Sequence, residues 1–259
     1  MRRRREDGYH ELETLFAFVA HGDTVTLGDG AGFAVDGPFA AALAGEGDNL
    51  VTRTAAKFAQ MFGVEAAGRI TLTKRLPVAS GLGGGSADAA ATLRLLARHE
   101  GIALDDPRLF ECADALGSDV PACLYSRTAI GRGRGEQLEP VAGAPGTPVL
   151  LVNPGIAVAT AAVFARWDGI DRGALGEGEL LLVAAAGRND LEPPALAVAP
   201  EVGAVLALLG AQAGVTLARM SGSGATCFAL FDDVAARDRA AAAVRQAHPG
   251  WWCLETVLL

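Results

Sequence analysis

The segment from Leu76 to Ala90, which reads LPVASGLGGGSADAA, constrains this chain more than any other. Its glycines at 81, 83, 84 and 85 stand directly before an alanine- and leucine-rich stretch that predicts a helix from about Ser86 to His99. Glycine leaves backbone N–H groups unobstructed, and the N-terminus of a helix carries partial positive charge. Together the two features predict a phosphate-binding loop, with the hydroxyl of Ser86 available to a phosphate or to Mg²⁺.

Two common nucleotide-binding motifs do not fit this loop. A P-loop needs Gly-Lys followed by Ser or Thr, and no such sequence follows the glycines. A dinucleotide-binding fingerprint needs an acidic residue about 20 residues further on, where only Asp105 and Asp106 stand. A glycine-rich turn that serves tight packing is the alternative, and the position at the start of a helix favours phosphate binding.

A second glycine loop, Met220–Ala225, reads MSGSGA and lies between two apolar stretches that predict strands. A hairpin turn is the simple explanation, because Gly/Ser pairs are common there. As a partner of the first loop, it indicates that two domains contribute to one cleft.

The composition argues against several classes of protein. With 259 residues, 51% of them hydrophobic, the chain can form one large or two small folded domains. Its net charge of −8 disfavours nucleic acid as a partner, because phosphate binding needs a basic face. The exception is the run Arg2–Arg5, which is expected to be a solvated, frayed terminus. No apolar stretch reaches the length of a membrane span, so no membrane partner is expected.

The cysteines are isolated in apolar stretches, without a CxxC pair or a histidine at ligand spacing. They are expected to be small core residues and not metal ligands. Such thiols fit the reducing environment of the cytoplasm. The four are Cys112, Cys123, Cys227 and Cys253.

Strands and helices alternate without a regular βαβ repeat, which predicts an α+β fold. Thr14–Ala20 and Thr24–Leu27 are expected to form adjacent strands, and Asp48 is expected to cap a helix over 50–62. Val141–Pro148 is the best candidate for a linker. The other predicted strands are Arg69–Thr73, Val149–Val152, Val215–Arg219, Thr226–Phe231 and Trp252–Leu258. The other predicted helices are Asp106–Leu116, Ala159–Arg166, Gly178–Ala186, Glu201–Leu209 and Val234–Ala247.

Three motifs, in the order PVASGLGGGSADAA, GSDVP (117–121) and SGSGA (221–225), resemble those of the GHMP kinases. The stretch Arg5–Phe16, REDGYHELETLF, is similar to a signature of one branch of that superfamily. Members of this branch use ATP to phosphorylate the 2-hydroxyl of 4-diphosphocytidyl-2-C-methyl-D-erythritol, in non-mevalonate isoprenoid biosynthesis. The resemblance covers nearly the whole chain.

The resemblance implies the GHMP kinase fold. Residues 1–145 would form a ribosomal-protein-like nucleotide domain and residues 146–259 a ferredoxin-like second domain, with the active site between them. ATP and Mg²⁺ are the implied cofactors. The implied partner is a small-molecule substrate with a cytidine diphosphate group, and the protein is expected to be a cytoplasmic monomer or weak homodimer.

The resemblance also assigns roles to individual residues. Asp119 matches the catalytic aspartate, whose carboxylate can accept the proton of an alcohol that attacks the γ-phosphate, although a turn or helix cap would also explain it. Tyr9 and His10 match positions that hold the cytosine ring, and Phe164 matches the opposing aromatic, with core packing as its alternative. Thr160 matches a nearby polar contact.

The residues implied in ATP binding include the whole first glycine loop and two positions outside it, near the adenine. Ser86 is also the implied contact to the metal. The ATP-binding set is Pro77, Val78, Ala79, Ser80, Gly81, Leu82, Gly83, Gly84, Gly85, Ser86, Ala87, Asn49 and Lys74.

The sequence departs from the family pattern at two places. Ala87 replaces a residue that often carries a hydroxyl in the family. The family also opens with a strand that contains Ala-Lys-Xaa-Asn-Leu, whereas the only lysines here are Lys57 and Lys74. A shortened chain of this kind is expected to fold but to be a poor kinase, and the alternatives are another GHMP small-molecule kinase or a non-catalytic nucleotide-binding protein.

Overall fold

The structure, a computed structural model, describes residues 1–43, 49–65 and 68–259. These residues form two compact units. The first unit contains residues 1–21, 79–82 and 127–259, and the second contains residues 22–78 and 83–126. This division differs from the predicted ranges of 1–145 and 146–259. The reason lies in backbone pairing of residues 1–21 with the C-terminal half. Val19, for example, forms an antiparallel bridge with Leu258, and Leu259 N donates to Phe18 O over 2.9 Å.

The strands are short in the N-terminal segment and longer elsewhere. They are β1 (Arg3–Arg4), β2 (His10–Glu11), β3 (Thr14–Phe16), β4 (Thr24–Gly28), β5 (Gly32–Asp36), β6 (Arg69–Thr73), β7 (Ala129–Arg132), β8 (Gln137–Pro140), β9 (Pro148–Asn153), β10 (Val215–Met220), β11 (Cys227–Phe231) and β12 (Trp252–Val257). The α-helices are α1 (Leu50–Phe62), α2 (Gly84–His99), α3 (Pro107–Leu116), α4 (Val120–Tyr125), α5 (Thr160–Ala165), α6 (Leu180–Ala186), α7 (Glu192–Val198), α8 (Glu201–Gly210) and α9 (Val234–Ala247). None of the helices in the described part of the chain is both long and apolar enough to cross a bilayer.

The second unit is built on a three-stranded sheet of order β4-β6-β5, in which β5 runs parallel and β4 antiparallel to β6. Helices α1 to α4 contribute the rest of its core, around the buried side chains of Phe58, Leu72, Leu93 and Leu109. The core holds α2 by its alanine and leucine face. The helix that follows the glycine loop therefore has a fixed position within its unit.

The first unit contains a four-stranded antiparallel sheet of order β10-β11-β9-β12. In chain order its elements are a strand, helices, two strands, a helix and a strand, and both α8 and α9 pack on the sheet. This order and connectivity are those of a ferredoxin-like domain, so the ferredoxin-like part of the predicted fold is confirmed. Two smaller sheets, β1-β2 and β3-β7-β8, belong to the same unit.

Most of the predicted elements form close to their predicted bounds. The two predicted adjacent strands, however, lie in different sheets, because β3 pairs with β7 whereas β4 pairs with β6. The predicted cap Asp48 lies outside the described residues, and the side chain of Asn49 caps α1. Seven strands and α-helices of the described residues were not predicted. All are short, and α7 carries two prolines directly after its first residue; the seven are β1, β2, β5, β7, β8, α4 and α7.

The prediction that Arg2–Arg5 form a frayed terminus is wrong, because every one of these arginines has a partner in the first unit, whereas Arg3 and Arg4 are exposed, as a solvated segment would be. The guanidinium of Arg4 donates to two backbone carbonyls, one at the end of α5 and one two residues beyond it. Arg2 pairs with Asp171, Arg3 with Glu11, Arg4 with the carbonyl oxygens of Ala165 and Trp167, and Arg5 with Asp7.

Candidate active site

The chain leaves β6 after Thr73 and passes through the first glycine loop to α2. This helix begins at Gly84, two residues earlier than predicted. Gly83 occupies the position before the helix with φ of 67°, in the left-handed region that favours glycine. No side chain caps this helix start. The first N–H groups of α2 have no partner within the helix, so they can bind an anion such as a phosphate.

The earlier part of this loop, Ala79–Leu82, packs against the second glycine loop within the first unit. The hydroxyl of Ser221 donates to the carbonyl of Gly81 over 2.9 Å, and Thr226 N donates to the carbonyl of Ser80 over 3.0 Å. The second loop is also the turn between the paired strands β10 and β11. The hairpin explanation is therefore correct, and the turn supports the first loop as well.

Asp119 stands at the position just before α4, with φ of −92° and ψ of −11°. Its side chain does not cap that helix, so the carboxylate is not used in the way that the helix-cap alternative requires. The residue reaches solvent, but surrounding protein atoms desolvate the carboxyl and raise its pKa, while a hydrogen bond with Ser118 acts in the opposite direction. A carboxylate of raised basicity suits a proton acceptor.

The predicted cytosine-binding residues lie in the first unit. The ring of His10 lies 5.1 Å from that of Phe164 and 5.8 Å from that of Trp167, centroid to centroid. Tyr9 is 51% exposed, and the guanidinium carbon of Arg134 lies 5.1 Å from its ring centroid. The ring in contact with Phe164 is thus that of His10, and the ring of Tyr9 stays open to solvent.

The electrostatics of His10 favour a neutral imidazole. Burial lowers the pKa of His10, and the positive charge of Arg4 lowers it further. Within the described ranges, His10 Nε2 and Trp167 Nε1 are buried nitrogens without a hydrogen-bond partner. A neutral imidazole with an unpaired nitrogen can exchange hydrogen bonds with the polar edge of a base.

Thr160 begins α5, the short helix that also carries Phe164. Its hydroxyl lies 3.0 Å from that of Ser223, which is in the second glycine loop. The structure thus brings the predicted polar contact to a loop that also touches the first glycine loop.

Asn49 acts as the cap of α1. Its Oδ1 accepts from Val51 N over 2.9 Å and from Thr52 N over 3.1 Å. Its Nδ2 is buried and has no partner among the residues that the structure describes. The predicted contact of Asn49 with ATP remains a prediction, and this nitrogen is the atom free to make it.

Lys74 is buried between two carboxylates. Its Nζ lies 2.5 Å from Asp23 Oδ2 and 2.9 Å from Asp88 Oδ2. Burial raises the pKa of Asp88 to about 6, although the charge and hydrogen bond of Lys74 act in the opposite direction. Neither carboxylate was predicted: Asp88 lies in the glycine motif, but Asp23 is a lone acidic residue before a strand, with no pattern around it.

The described residues contain no group of three or more His, Cys, Asp or Glu side chains placed to hold a metal ion. Ser86 lies in the first turn of α2, among the residues whose N–H groups have no partner within the helix. Magnesium commonly takes few ligands from a protein and the others from substrate phosphates and water. The residues present therefore fit a metal that binds together with a nucleotide.

Comparison with known proteins agrees with this geometry. The GHMP kinases N terminal domain family matches residues 49–127, and the GHMP kinases C terminal family matches residues 171–250. A 4-diphosphocytidyl-2-C-methyl-D-erythritol kinase of Rhizorhabdus wittichii is 56% identical over 263 aligned residues, which cover 100% of this chain and 90% of that protein.

Solved structures give the same result. The crystal structure of a 4-(cytidine 5'-diphospho)-2C-methyl-D-erythritol kinase matches with a TM-score of 0.80 and 37% identity, over 99% of this chain and 93% of that one. A homoserine kinase from Cytophaga hutchinsonii matches with a TM-score of 0.69 at 19% identity, over 94% and 89% of the two chains, and shows likeness of fold alone. The chain therefore belongs to the GHMP kinases and, among them, to the 4-diphosphocytidyl-2-C-methyl-D-erythritol kinase family.

Proposed function

We propose that this protein is an ATP-dependent kinase that phosphorylates the 2-hydroxyl of 4-diphosphocytidyl-2-C-methyl-D-erythritol, in non-mevalonate isoprenoid precursor biosynthesis. The observation that supports a cytidyl group on the acceptor is the contact between the rings of His10 and Phe164. An aromatic group with an unpaired ring nitrogen suits a flat, polar base such as cytosine. A small amino-acid or carboxylate acceptor, as in other GHMP kinases, has no base to place there.

The proposed mechanism gives each group a separate task. The N–H groups at the start of α2 hold the phosphates of ATP, and backbone donors of this kind stabilise charge on the transferred group. Asp119 accepts the proton of the 2-hydroxyl as the hydroxyl oxygen attacks the γ-phosphorus, and the bond between that phosphorus and the β,γ-bridging oxygen breaks to release ADP. Magnesium, when bound, would neutralise charge on the phosphates, and the hydroxyl of Ser86 is the group proposed to hold it.

Binding of the cytidine group is assigned to the first unit. His10 and Phe164 contact the base by their rings, Tyr9 offers its exposed ring as a further stacking surface, and Thr160 supplies a hydroxyl. A cytoplasmic location and a monomeric or weakly dimeric state stay predictions.

The test measures phosphoryl transfer from ATP to three acceptors, the cytidyl substrate, homoserine and mevalonate, with product identified by ³¹P NMR. We expect transfer to the cytidyl substrate alone, at its 2-oxygen. Faster transfer to homoserine or mevalonate would assign the protein to another GHMP activity. Binding of ATP without transfer to any acceptor would make it a non-catalytic nucleotide-binding protein. Asp119→Asn is the inactive control.

A further inference from the structure

Three charged side chains of the second unit, Asp23, Lys74 and Asp88, form a cluster that the proposed mechanism does not use. Their side chains are 3%, 4% and 6% exposed, respectively, so the ion pairs are shielded from water. Lys74 Nζ lies within hydrogen-bond distance of both carboxylates. A buried charge is costly without partners, so each of these residues depends on the other two. The three residues Asp23, Lys74 and Asp88 are named the loop-anchor cluster.

The loop-anchor cluster contacts the first glycine loop at the side where the chain enters it. Asp23 Oδ1 accepts hydrogen bonds from Arg75 N over 2.5 Å and from Leu76 N over 2.9 Å. These two residues directly precede the loop at Pro77. Asp23 thereby fixes the backbone as it leaves β6.

The loop-anchor cluster also contacts the start of α2, where the chain leaves the loop. Asp88 lies in the second turn of α2, and its carboxylate binds Lys74. Lys74 Nζ lies 3.3 Å from the position that a Cβ on Gly84 would occupy, so the ammonium packs against the first residue of the helix. The loop-anchor cluster thus joins the two ends of the loop through one buried ammonium group.

We propose that Asp23, Lys74 and Asp88 are positioning residues for nucleotide binding, and that they hold the start of α2 so that its N–H groups face the phosphates. Lys74 then acts through the loop and does not touch ATP, in place of the direct contact that the sequence predicted. A nucleotide contact would require Lys74 to leave two buried carboxylates, which would then lack a cation. This inference rests on the proposed function, since it assumes that the loop binds ATP.

The experiment compares the unaltered chain with Lys74→Met, with Lys57→Met and with the double variant Lys74→Met/Asp88→Asn. Calorimetry gives the Kd of the non-hydrolysable ATP analogue AMP-PNP and of CDP, and thermal unfolding gives the Tm. Lys57→Met removes the same charge from α1, outside the cluster. We expect Lys74→Met to raise the Kd of AMP-PNP about 10- to 100-fold, to lower the Tm and to leave the Kd of CDP unchanged.

The double variant separates positioning from contact. Removing Lys74 leaves two buried carboxylates without a cation. Asp88→Asn replaces one of these charges with an amide, which can donate to the Asp23 carboxylate beside it and so keep the two ends of the loop joined. If the cluster positions the loop, AMP-PNP affinity and Tm recover together in the double variant. If Lys74 touches ATP, the Tm recovers but the affinity does not, and this overturns the proposal. A lower Tm with unchanged AMP-PNP affinity would make the cluster merely structural, which also overturns it.

AMP-PNP binding by a replacement variant and by the unaltered chain completes the test. Should Lys74→Met fail to fold, Asp23→Asn replaces it, because the amide oxygen can still accept from Arg75 N and Leu76 N while the charge is lost. Positioning predicts weaker AMP-PNP binding by this variant. Direct contact predicts equal or tighter binding, because Lys74 loses a competitor. An unaltered chain that binds no AMP-PNP would refute the proposed function, and this inference with it, whereas loss in the variants alone concerns only the cluster.

Discussion

The imidazole ring of His10 lies 5.1 Å from the phenyl ring of Phe164, centroid to centroid, with the two planes inclined by 56°. His10 comes from the N-terminal hairpin and Phe164 from α5, so the contact joins two distant parts of the first unit. The arrangement is a tilted aromatic pair, whose geometry is set by both elements. A role in base binding predicts effects of substitutions on the KM for the cytidyl substrate that ordinary core packing would not produce.

Replacing Phe164 with alanine should raise the KM for the cytidyl substrate about 5- to 150-fold, which corresponds to the loss of about 1–3 kcal/mol of stacking. The KM for ATP should stay within about twofold. Phe164→Leu is the matched control, because it keeps apolar volume next to the core but removes the ring. Equal increases in both KM values would show that Phe164 serves the core only.

Tyr9→Ala should raise the KM for the same substrate without a change in Tm, because the ring is exposed and loses little packing. Tyr9→Phe should retain most of the affinity, since the stacking face remains. A fall in Tm equal to that of Phe164→Ala would contradict a binding role for the exposed ring.

Arg4→Met should weaken cytidyl binding, because the guanidinium joins the hairpin to the carbonyls of Ala165 and Trp167 at the end of α5. It should also raise the pKa of His10, since the charge of Arg4 lowers that pKa in the intact protein. NMR titration of the His10 ring measures this shift, from below the ordinary value of about 6.5 toward it. Arg3→Met, which removes an exposed arginine paired with Glu11, is the control and should change neither quantity.

The pattern of apolar residues predicts the long elements because their periodicity is local. The bounds of α9 and β6 agree with their predicted ranges, Val234–Ala247 and Arg69–Thr73. The partner of a strand is not local, and β3 and β4 therefore follow each other in sequence but lie in different sheets. Short elements such as α4 have too few residues to show a period.

The residues of the candidate site likewise divide into those that local sequence motifs predict and those that only the fold brings together. The glycine loop and Asp119 are visible as motifs, since each has a fixed local sequence. The partners of Lys74 are not visible, because Asp23 and Asp88 approach it only through the pairing of β4 with β6 and the packing of α2 on β4. The run Arg2–Arg5 resembles a solvated charge cluster, and only the three-dimensional positions of the carbonyl groups after α5 reveal what Arg4 binds.

Asp119→Asn should lower kcat about 10²- to 10⁴-fold by removing the proton acceptor, with little change in AMP-PNP affinity. In the intact protein, kcat/KM should fall with acidity as the carboxylate is protonated, at a pH above the ordinary pKa of aspartate, because desolvation raises the pKa of Asp119. Ser118→Ala should move this acid limb to higher pH, since the Ser118 hydrogen bond lowers that pKa. An unchanged limb, or near-normal turnover of Asp119→Asn, would remove Asp119 from the proposed role.

The glycines of the first loop should respond differently to alanine, because their surroundings differ. A Cβ on Gly81 would lie 2.6 Å from the carbonyl oxygens of both Ser221 and Gly224, and its φ is 78°. Gly83 has φ of 67° but open space around it, and Gly85 has open space within the first turn of α2, without a left-handed φ. The three positions therefore separate steric conflict from backbone strain.

Gly81→Ala should lower the free energy of unfolding by about 2–5 kcal/mol, from about 1–2 for the left-handed backbone and about 1–3 for the conflict with the two carbonyls. Gly83→Ala should cost only the backbone part, about 1–2 kcal/mol. Gly85→Ala should leave stability unchanged or raise it by about 0.5–1 kcal/mol, as expected for glycine in a helix. Urea unfolding measures all three, and equal losses for Gly81→Ala and Gly83→Ala would show that the two glycine loops do not pack as closely as described.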